Sequence, residues 1–264
     1  MTLTFTILGC GSSGGVPRVA LGWGDCDPAN PKNRRMRCSL LIERETGGER
    51  TTVLIDTSPD LRTQLLGVDV KMLDGVFFTH DHADHTHGID DLRPIAIHMR
   101  RRIDVYLSEA TAQAVRGRFG YCFETPPESS YPPVLREHRI AAGAPLEIDG
   151  RGGPVTVMPY EQDHGDIVSF GYRIGGLAYS TDLRDLPAAS VRALTDLDVW
   201  IVDALRYRPH PSHFSVEDAL EWIGRVKPRR AILTNLHSDL DYETLRRVLP
   251  ENVEPAYDGL RVSL

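Results

Sequence analysis

The residues best suited to chemistry are packed into one short run, Thr79-His80-Asp81-His82-Ala83-Asp84-His85, which holds three histidines and two acids within six positions. It follows the apolar stretch Gly75-Val76-Phe77-Phe78. If that stretch is a strand, His80 and His82 leave it on one side, because side chains alternate along an extended chain. The chain must then turn, which lets Asp84 and His85 face a second point. Imidazole and carboxylate suit borderline and hard divalent ions such as zinc, manganese and iron. Two ligand pairs from one short loop point to two metal ions rather than one.

This run resembles the signature of the metallo-β-lactamase superfamily of metal-dependent hydrolases. The start of the chain, Ile7-Leu8-Gly9-Cys10-Gly11-Ser12-Ser13-Gly14-Gly15-Val16-Pro17, is similar to that superfamily's phosphodiesterase branch. That branch includes the carbon–phosphorus lyase pathway enzyme that opens ribosyl cyclic phosphates and the tRNA 3′-processing endonuclease. The resemblance runs from near residue 3 to the C-terminus. It implies an αββα sandwich of two mixed sheets with helices outside, read here as one domain of two similar halves over residues 1–264. It implies that His164, in Asp163-His164-Gly165, completes a first metal set with His80 and His82. Asp182, closing Tyr179-Ser180-Thr181-Asp182, would bridge both ions, since a carboxylate has two oxygens to share. His237 would join Asp84 and His85 on the second ion, although Asn235 occupies the place directly after Thr234 where relatives often have their last ligand. His213 would sit near the scissile phosphate as proton donor or phosphate ligand. Asp84 then belongs to the reacting centre as a ligand rather than as a general base. Two ions about 3.5–4 Å apart can share a hydroxide and hold the attacking and leaving oxygens of a displacement at phosphorus. Asp56 would support the metal loop from behind. The cyclic-phosphate enzyme carries a cysteine cluster for a structural zinc around 16–37, and here only Cys26 stands nearby.

The elements that must position these residues are legible as short strands and helices. Strands are expected over 2–8, 38–43, 52–56, 74–78, 103–107, 145–148, 155–159, 169–174, 177–179, 197–204 and 230–234. Helices are expected over 57–66, 108–118, 216–226 and 241–249, the second and third capped by Ser108 and Ser215. Residues 120–139, with two Pro-Pro pairs, read as an irregular flap. The glycines at 9, 11, 14 and 15 allow backbone N–H groups near Ser12 and Ser13 to approach an anion. The long irregular segment 16–37 ends in Lys32-Asn33-Arg34-Arg35-Met36-Arg37, where Arg34, Arg35 and Arg37 could clamp a substrate phosphate.

The bulk properties narrow the partners. The chain has 264 residues, 41% hydrophobic and 25% charged, ordinary for a soluble domain. No run approaches the roughly 18 apolar residues of a membrane span, and 1–6 lacks the pattern of a signal peptide. The four cysteines form no CxxC pair and read as reduced, cytoplasmic thiols. A net charge of −7 argues against broad nucleic-acid binding. The expected activity is hydrolysis of a small cyclic phosphate or nucleotide-like phosphodiester. Its rivals are a glyoxalase II-type thioester or lactone hydrolase, a tRNA-processing nuclease and a non-catalytic metal-binding protein. Dimers are common in the fold it resembles, which leaves a homodimer open by analogy.

Overall fold

The computed structural model describes residues 2–264. The first half runs β1 (Thr2–Gly9), β2 (Ser39–Thr46), β3 (Glu49–Ile55), α1 (Leu61–Gly67), β4 (Gly75–Phe77), α2 (Ala83–Thr86), α3 (Arg93–Met99), β5 (Ile103–Leu107), α4 (Glu109–Phe119) and β6 (Leu135–Arg139). The second runs β7 (Leu146–Ile148), β8 (Val155–His164), β9 (Ile167–Ile174), β10 (Leu177–Ser180), α5 (Ala188–Val191), β11 (Val199–Asp203), α6 (Val216–Val226), β12 (Arg230–Thr234), α7 (Tyr242–Val248), β13 (Val253–Pro255) and β14 (Arg261–Ser263). They form two seven-stranded sheets, ordered β14-β1-β2-β3-β4-β5-β6 and β13-β12-β11-β10-β9-β8-β7. The expected αββα sandwich of two mixed sheets is the architecture observed.

Alternation along the strands creates the layers. Leu40, Ile42, Val53, Ile55 and Phe77 of the first sheet meet Tyr172, Ile174, Val199, Ile201 and Ile232 of the second in one central core. The intervening residues Leu41, Leu54 and Val76 face outward under Leu61 and Leu65 of α1 and Val115 of α4. On the other side Trp200, Val202 and Leu233 lie under Ala219 and Ile223 of α6 and Leu245 of α7. Strands covered on both faces lose polar alternation, which is why these segments read as continuous apolar runs.

Each sheet is antiparallel at one end and parallel at the other: β3-β4-β5-β6 and β10-β11-β12-β13 are the parallel parts. Ligand-bearing loops in such sheets collect at the carboxyl ends of parallel strands. Helix α6 spans the expected residues, and Ser215 and Asp218 cap it reciprocally. Helix α1 starts at Leu61 rather than 57, because the Ser58 hydroxyl accepts from Asp60 N–H and donates to Gln64 instead of capping. The expected flap contains strand β6, paired in parallel with β5. Among the described residues no helix is long and apolar enough to cross a membrane. All four cysteines are unpaired and buried.

The C-terminal strand closes the first sheet beside β1, and Leu3 and Leu264 exchange reciprocal N–H···O bonds of 3.1 and 2.9 Å. Just before β14, Asp258 accepts from the N–H groups of Cys10 (3.1 Å) and Met36 (2.7 Å), tying the N-terminal loops to the C-terminus. Burial pushes its pKa up to about 7, against the pull of those donors. A carboxyl whose folded pKa lies above its unfolded value favours folding while protonated. Its contribution is therefore present at acid pH and is lost as pH rises from about 4 through about 7. Asp258→Asn should accordingly gain stability relative to wild type as pH rises across that window. Urea unfolding at several pH values checks this, and a stability difference independent of pH would refute it.

Candidate metal centre

The histidine loop leaves β4 directly, and its ligands meet residues delivered by β8 and β10. His80, His82, His164 and Asp182 bring one donor atom each to within 4.8 Å of one another, and Asp84, His85 and Asp182 form a second such group. Asp182 is common to both. Its Oδ2 lies 3.8 Å from the Nε2 of His80 and of His164, and its Oδ1 lies 3.2 Å from the Nε2 of His85. His164 Nε2 is 3.3 Å from His82 Nδ1.

His80, His85 and His164 are each oriented through the other ring nitrogen, His80 by the Thr79 hydroxyl 3.0 Å from its Nδ1. His85 Nδ1 contacts Asp56 Oδ2 at 2.7 Å, and Asp56 also accepts from the N–H and hydroxyl of Thr79 at 2.8 Å each. Asp56 thus supports the loop from behind, as the resemblance implied; α1 begins five residues later and does not use it as a cap. His164 Nδ1 donates to the Ser212 carbonyl at 2.7 Å. Asp81, between two candidate ligands, is held by Arg118 at 2.7 Å. Such partners fix tautomer and ring direction, and losing one typically costs 10–100-fold in metal affinity.

Three residues that turn the chain into the site, Asp56, Asp182 and Asn235, have φ of +64°, +56° and +61°. Asp56 and Asn235 directly follow β3 and β12, and Asp182 lies two residues past β10. Asp and Asn tolerate this left-handed region better than other non-glycine residues. Backbone strain of this kind gathers where surrounding structure holds it for function. No helix begins at Leu183, so Asp182 is not a cap for the segment after it.

Divalent cations fit this donor set. The Nε2 atoms of His80 and His85 are buried and have no hydrogen-bond partner. Burial, and after it the nearby His85, pushes the His80 pKa well below the usual imidazole value, so the ring is neutral as a ligand must be. Burial disfavours charge on His85, but Asp182, Asp56 and Asp84 raise its pKa well above normal. Burial likewise opposes the charge of Asp182, yet His85 and His213 hold its pKa well below the carboxylate range. Three carboxylates against His85 are a negative charge that bound cations would neutralise.

His213 lies at the edge of the cluster, its Nε2 3.9 Å from Asp182 Oδ2 and its Nδ1 2.8 Å from Asp203 Oδ2. Burial works against its protonation, but Asp203 and Asp182 raise its pKa to about 9. Asp203 is fully buried at the end of β11, and Asn235 Nδ2 donates to Asp203 and Asp182 at 3.1 and 3.3 Å. Sequence reading missed Asp203; its signal was an acid ending the apolar strand Val199-Trp200-Ile201-Val202, the same pattern that marks Asp182.

His237 is not in either cluster. The chain leaves β12 through left-handed Asn235, and His237 turns to Asp239, 3.1 Å from its Nδ1, and to Arg18 at its Nε2. Asn235 fills the buried place at the strand end, with its amide N–H groups directed at carboxylates rather than a lone pair at a metal. His237→Ala should therefore leave the metal content unchanged; loss of one ion per chain by elemental analysis would return His237 to the ligand set.

The expected phosphate clamp divides. Arg35 is 2% exposed and donates to the carbonyls of Leu240 (2.7 Å) and His237 (3.3 Å), so it braces the loop and cannot reach a substrate. Arg34 is exposed and packs over Trp23, 5.2 Å from the ring centroid. Arg37 lines a cleft of about 380 Å³ beside Asp84, together with Ser13, Gly14 and Arg18. Ser12 is buried next to that turn. Arg18 was not foreseen; nothing in its local sequence separates it from any loop arginine.

A family described as "Beta-lactamase superfamily domain" matches residues 51–235. The crystal structure of a diphosphatase from the PhnP family shares 33% identity, covers 100% of this chain and 98% of its own, and superposes with a TM-score of 0.89. An octanoyltransferase of Porphyromonas gingivalis (strain ATCC BAA-308 / W83) is 36% identical over 259 residues, 96% of this chain. This chain spans 50% of the length of that curated relative. Human short-form tRNase Z, at 16% identity and TM-score 0.67 with 98% of each chain covered, shares the fold.

Proposed function

We propose that this chain, which belongs to the β-lactamase superfamily and is a metal-dependent hydrolase of its phosphodiesterase branch, hydrolyses a small, nucleotide-like phosphodiester. The observation that carries the reading is a cleft lined by the candidate ligand Asp84 together with Arg18 and Arg37. Cations held by His80, His82, His164 and Asp182, and by Asp84, His85 and Asp182, would supply Lewis acidity toward a phosphoryl oxygen and toward water.

The chain's own residues supply the rest. His213, whose pKa Asp203 and Asp182 raise to about 9 against its burial, is an imidazolium at neutral pH: it donates Nδ1–H to Asp203 and carries its second proton on Nε2, facing the cluster, where that proton can pass to a departing oxygen. Asn235 ties Asp203 to Asp182 and so fixes the proton donor relative to the ligand shared by both groups. Arg37, 3.0 Å from Asp60, offers its remaining N–H groups to a non-bridging phosphate oxygen. Buried imidazoles and carboxylates prearranged in this way need little reorganisation as charge develops.

The PhnP-family relative is a diphosphatase, and a substituted diphosphate presents the same displacement at phosphorus. A second reading, hydrolysis of an acyl thioester, is favoured by the octanoyltransferase relative, about half of which corresponds to this chain. The test is turnover by metal-replete protein of bis(p-nitrophenyl) phosphate and a substituted diphosphate, set against octanoyl and lactoyl thioesters. Phosphorus esters are expected to react and thioesters not; turnover of thioesters alone would replace the first reading with the second.

A further inference from the structure

A cavity of about 830 Å³ lies on the outer face of the second sheet, away from the metal centre. Its floor includes Thr156, Met158 and Tyr160, which share one face of β8 because side chains alternate along a strand. Helices α6 and α7 pack over β11 and β12 on that side of the sheet, whereas the four-residue α5 lies against β8. No residue of the metal clusters lines the cavity, and from Tyr160 to the ligand His164 is roughly 13 Å of strand. The Tyr160 ring lies over Gly171, its partner across the ladder, where a Cβ would stand 2.3 Å from Cε2 and Cζ. The Tyr160 hydroxyl is engaged 2.6 Å from Ser180 Oγ, so the ring offers the cavity an apolar surface. Backbone contacts hold the walls. Gly143 N–H donates to the Pro159 carbonyl at 2.8 Å on one side. On the other, Arg173 donates to the carbonyls of Gly175 (2.9 Å), Ala193 (3.1 Å) and Thr195 (2.8 Å). The charge of the lining is one-sided. Arg173 and Arg192 both face it, and neither has a carboxylate partner among the described residues. The three carbonyls occupy Nε and Nη1 of Arg173 without neutralising it, and leave Nη2 for a ligand. Glu161, the one acid in the lining, sits on the opposite face of β8 from Met158 and Tyr160.

We propose that this cavity is a second ligand site, which takes a medium-chain carboxylate with its alkyl chain along Met158 and Tyr160 and its head group on Arg173 and Arg192. An apolar interior with a few polar groups that fix orientation is the usual make-up of a small-molecule site, and the volume falls in the usual range. A singly charged head suits the place. Arg173 has one N–H₂ group left to give, and Arg192 is exposed, so solvent and salt already screen it. The site is independent of the phosphodiesterase reading, since it shares no residue with the metal centre.

The test is an NMR titration of the metal-replete protein, labelled with ¹³C at the methionine methyls, with octanoate and with octanamide. Met158 lines the cavity, while Met36 precedes Arg37 of the cleft beside Asp84, so one spectrum separates the two places. Met158→Leu assigns the signal. Octanoate is expected to shift the Met158 methyl saturably, with a Kd of about 1 mM or tighter, and to leave Met36 unmoved. Affinity should rise about fourfold per methylene from hexanoate to octanoate. Octanamide, the same chain without the charge, should bind about tenfold more weakly. Arg173→Gln should bring that ratio near one. Ala189→Trp, which fills the cavity from an exposed position, should weaken octanoate by about tenfold or more, and it carries the test should Arg173→Gln fail to fold. A Met158 methyl that does not respond overturns the site, as does a shift at Met36 alone, which would put the carboxylate at the metal centre. Equal affinity of wild type for octanoate and octanamide overturns it too, and so does unaltered octanoate binding in Ala189→Trp.

Discussion

Asp182→Asn is expected to remove turnover by about 10³-fold or more and to strip the protein of most of its bound cation. Asp182 is the one residue common to both ligand groups. Its two oxygens face different partners, Oδ1 toward His85 and Oδ2 toward His80 and His164. An amide offers one acceptor where the carboxylate offers two, and carries no charge to balance a cation. Lewis-acid stabilisation is worth several kcal/mol of barrier, and each ~1.4 kcal/mol is a factor of ten. The backbone argument favours a folded variant, since asparagine tolerates the φ of +56° at this position. Elemental analysis and phosphodiester kinetics on the same preparation provide the check. Near wild-type metal content together with near wild-type turnover would dismantle the proposed centre.

His213→Gln should separate chemistry from metal binding. The ring contacts Asp182 only at 3.9 Å and belongs to neither ligand group, so cation content should stay at the wild-type level. Loss of a positioned proton donor should lower kcat by about 10²–10⁴-fold. Asp203→Asn should reproduce part of that loss, since Asp203 holds the ring by Nδ1 at 2.8 Å. A leaving group as acidic as p-nitrophenol needs little protonation, so the deficit should grow as the leaving group becomes more basic. An equal deficit for all leaving groups would make His213 a phosphate ligand instead of an acid.

How much of this the sequence disclosed depends on how local each signal was. The cluster His80, His82, Asp84 and His85 is contiguous, and its spacing alone marked it. Helix α6 was readable to the residue because Ser215 marks its start, and the structure adds Asp218 as the reciprocal partner of that cap. Residues His164 and Asp182 could be placed only through the family resemblance, since a lone histidine in a hairpin or an acid after a strand has many uses. Arg35 shows the opposite failure: within a basic run it looked like its neighbours, and only the folded loop reveals that it is spent on backbone carbonyls. His237 misled for a related reason. Linear spacing cannot register that Asn235 turns left-handed and sends the histidine two positions later toward Arg18. Strand β6 was hidden by the prolines around it, which signal irregular chain even where a short parallel pairing follows.

The edge formed by β14 bears on how this fold tolerates rearrangement. Residues 3 and 264 are stitched by paired backbone bonds, so the covalent origin of the chain is incidental to the position of β1. A permuted gene that opens at the exposed Gly47-Gly48 turn between β2 and β3 and links the old ends through a few flexible residues keeps every strand neighbour in place. For the same reason a module fused ahead of this domain and one fused behind it would depart from a single corner of the sandwich, and could occupy much the same position in space.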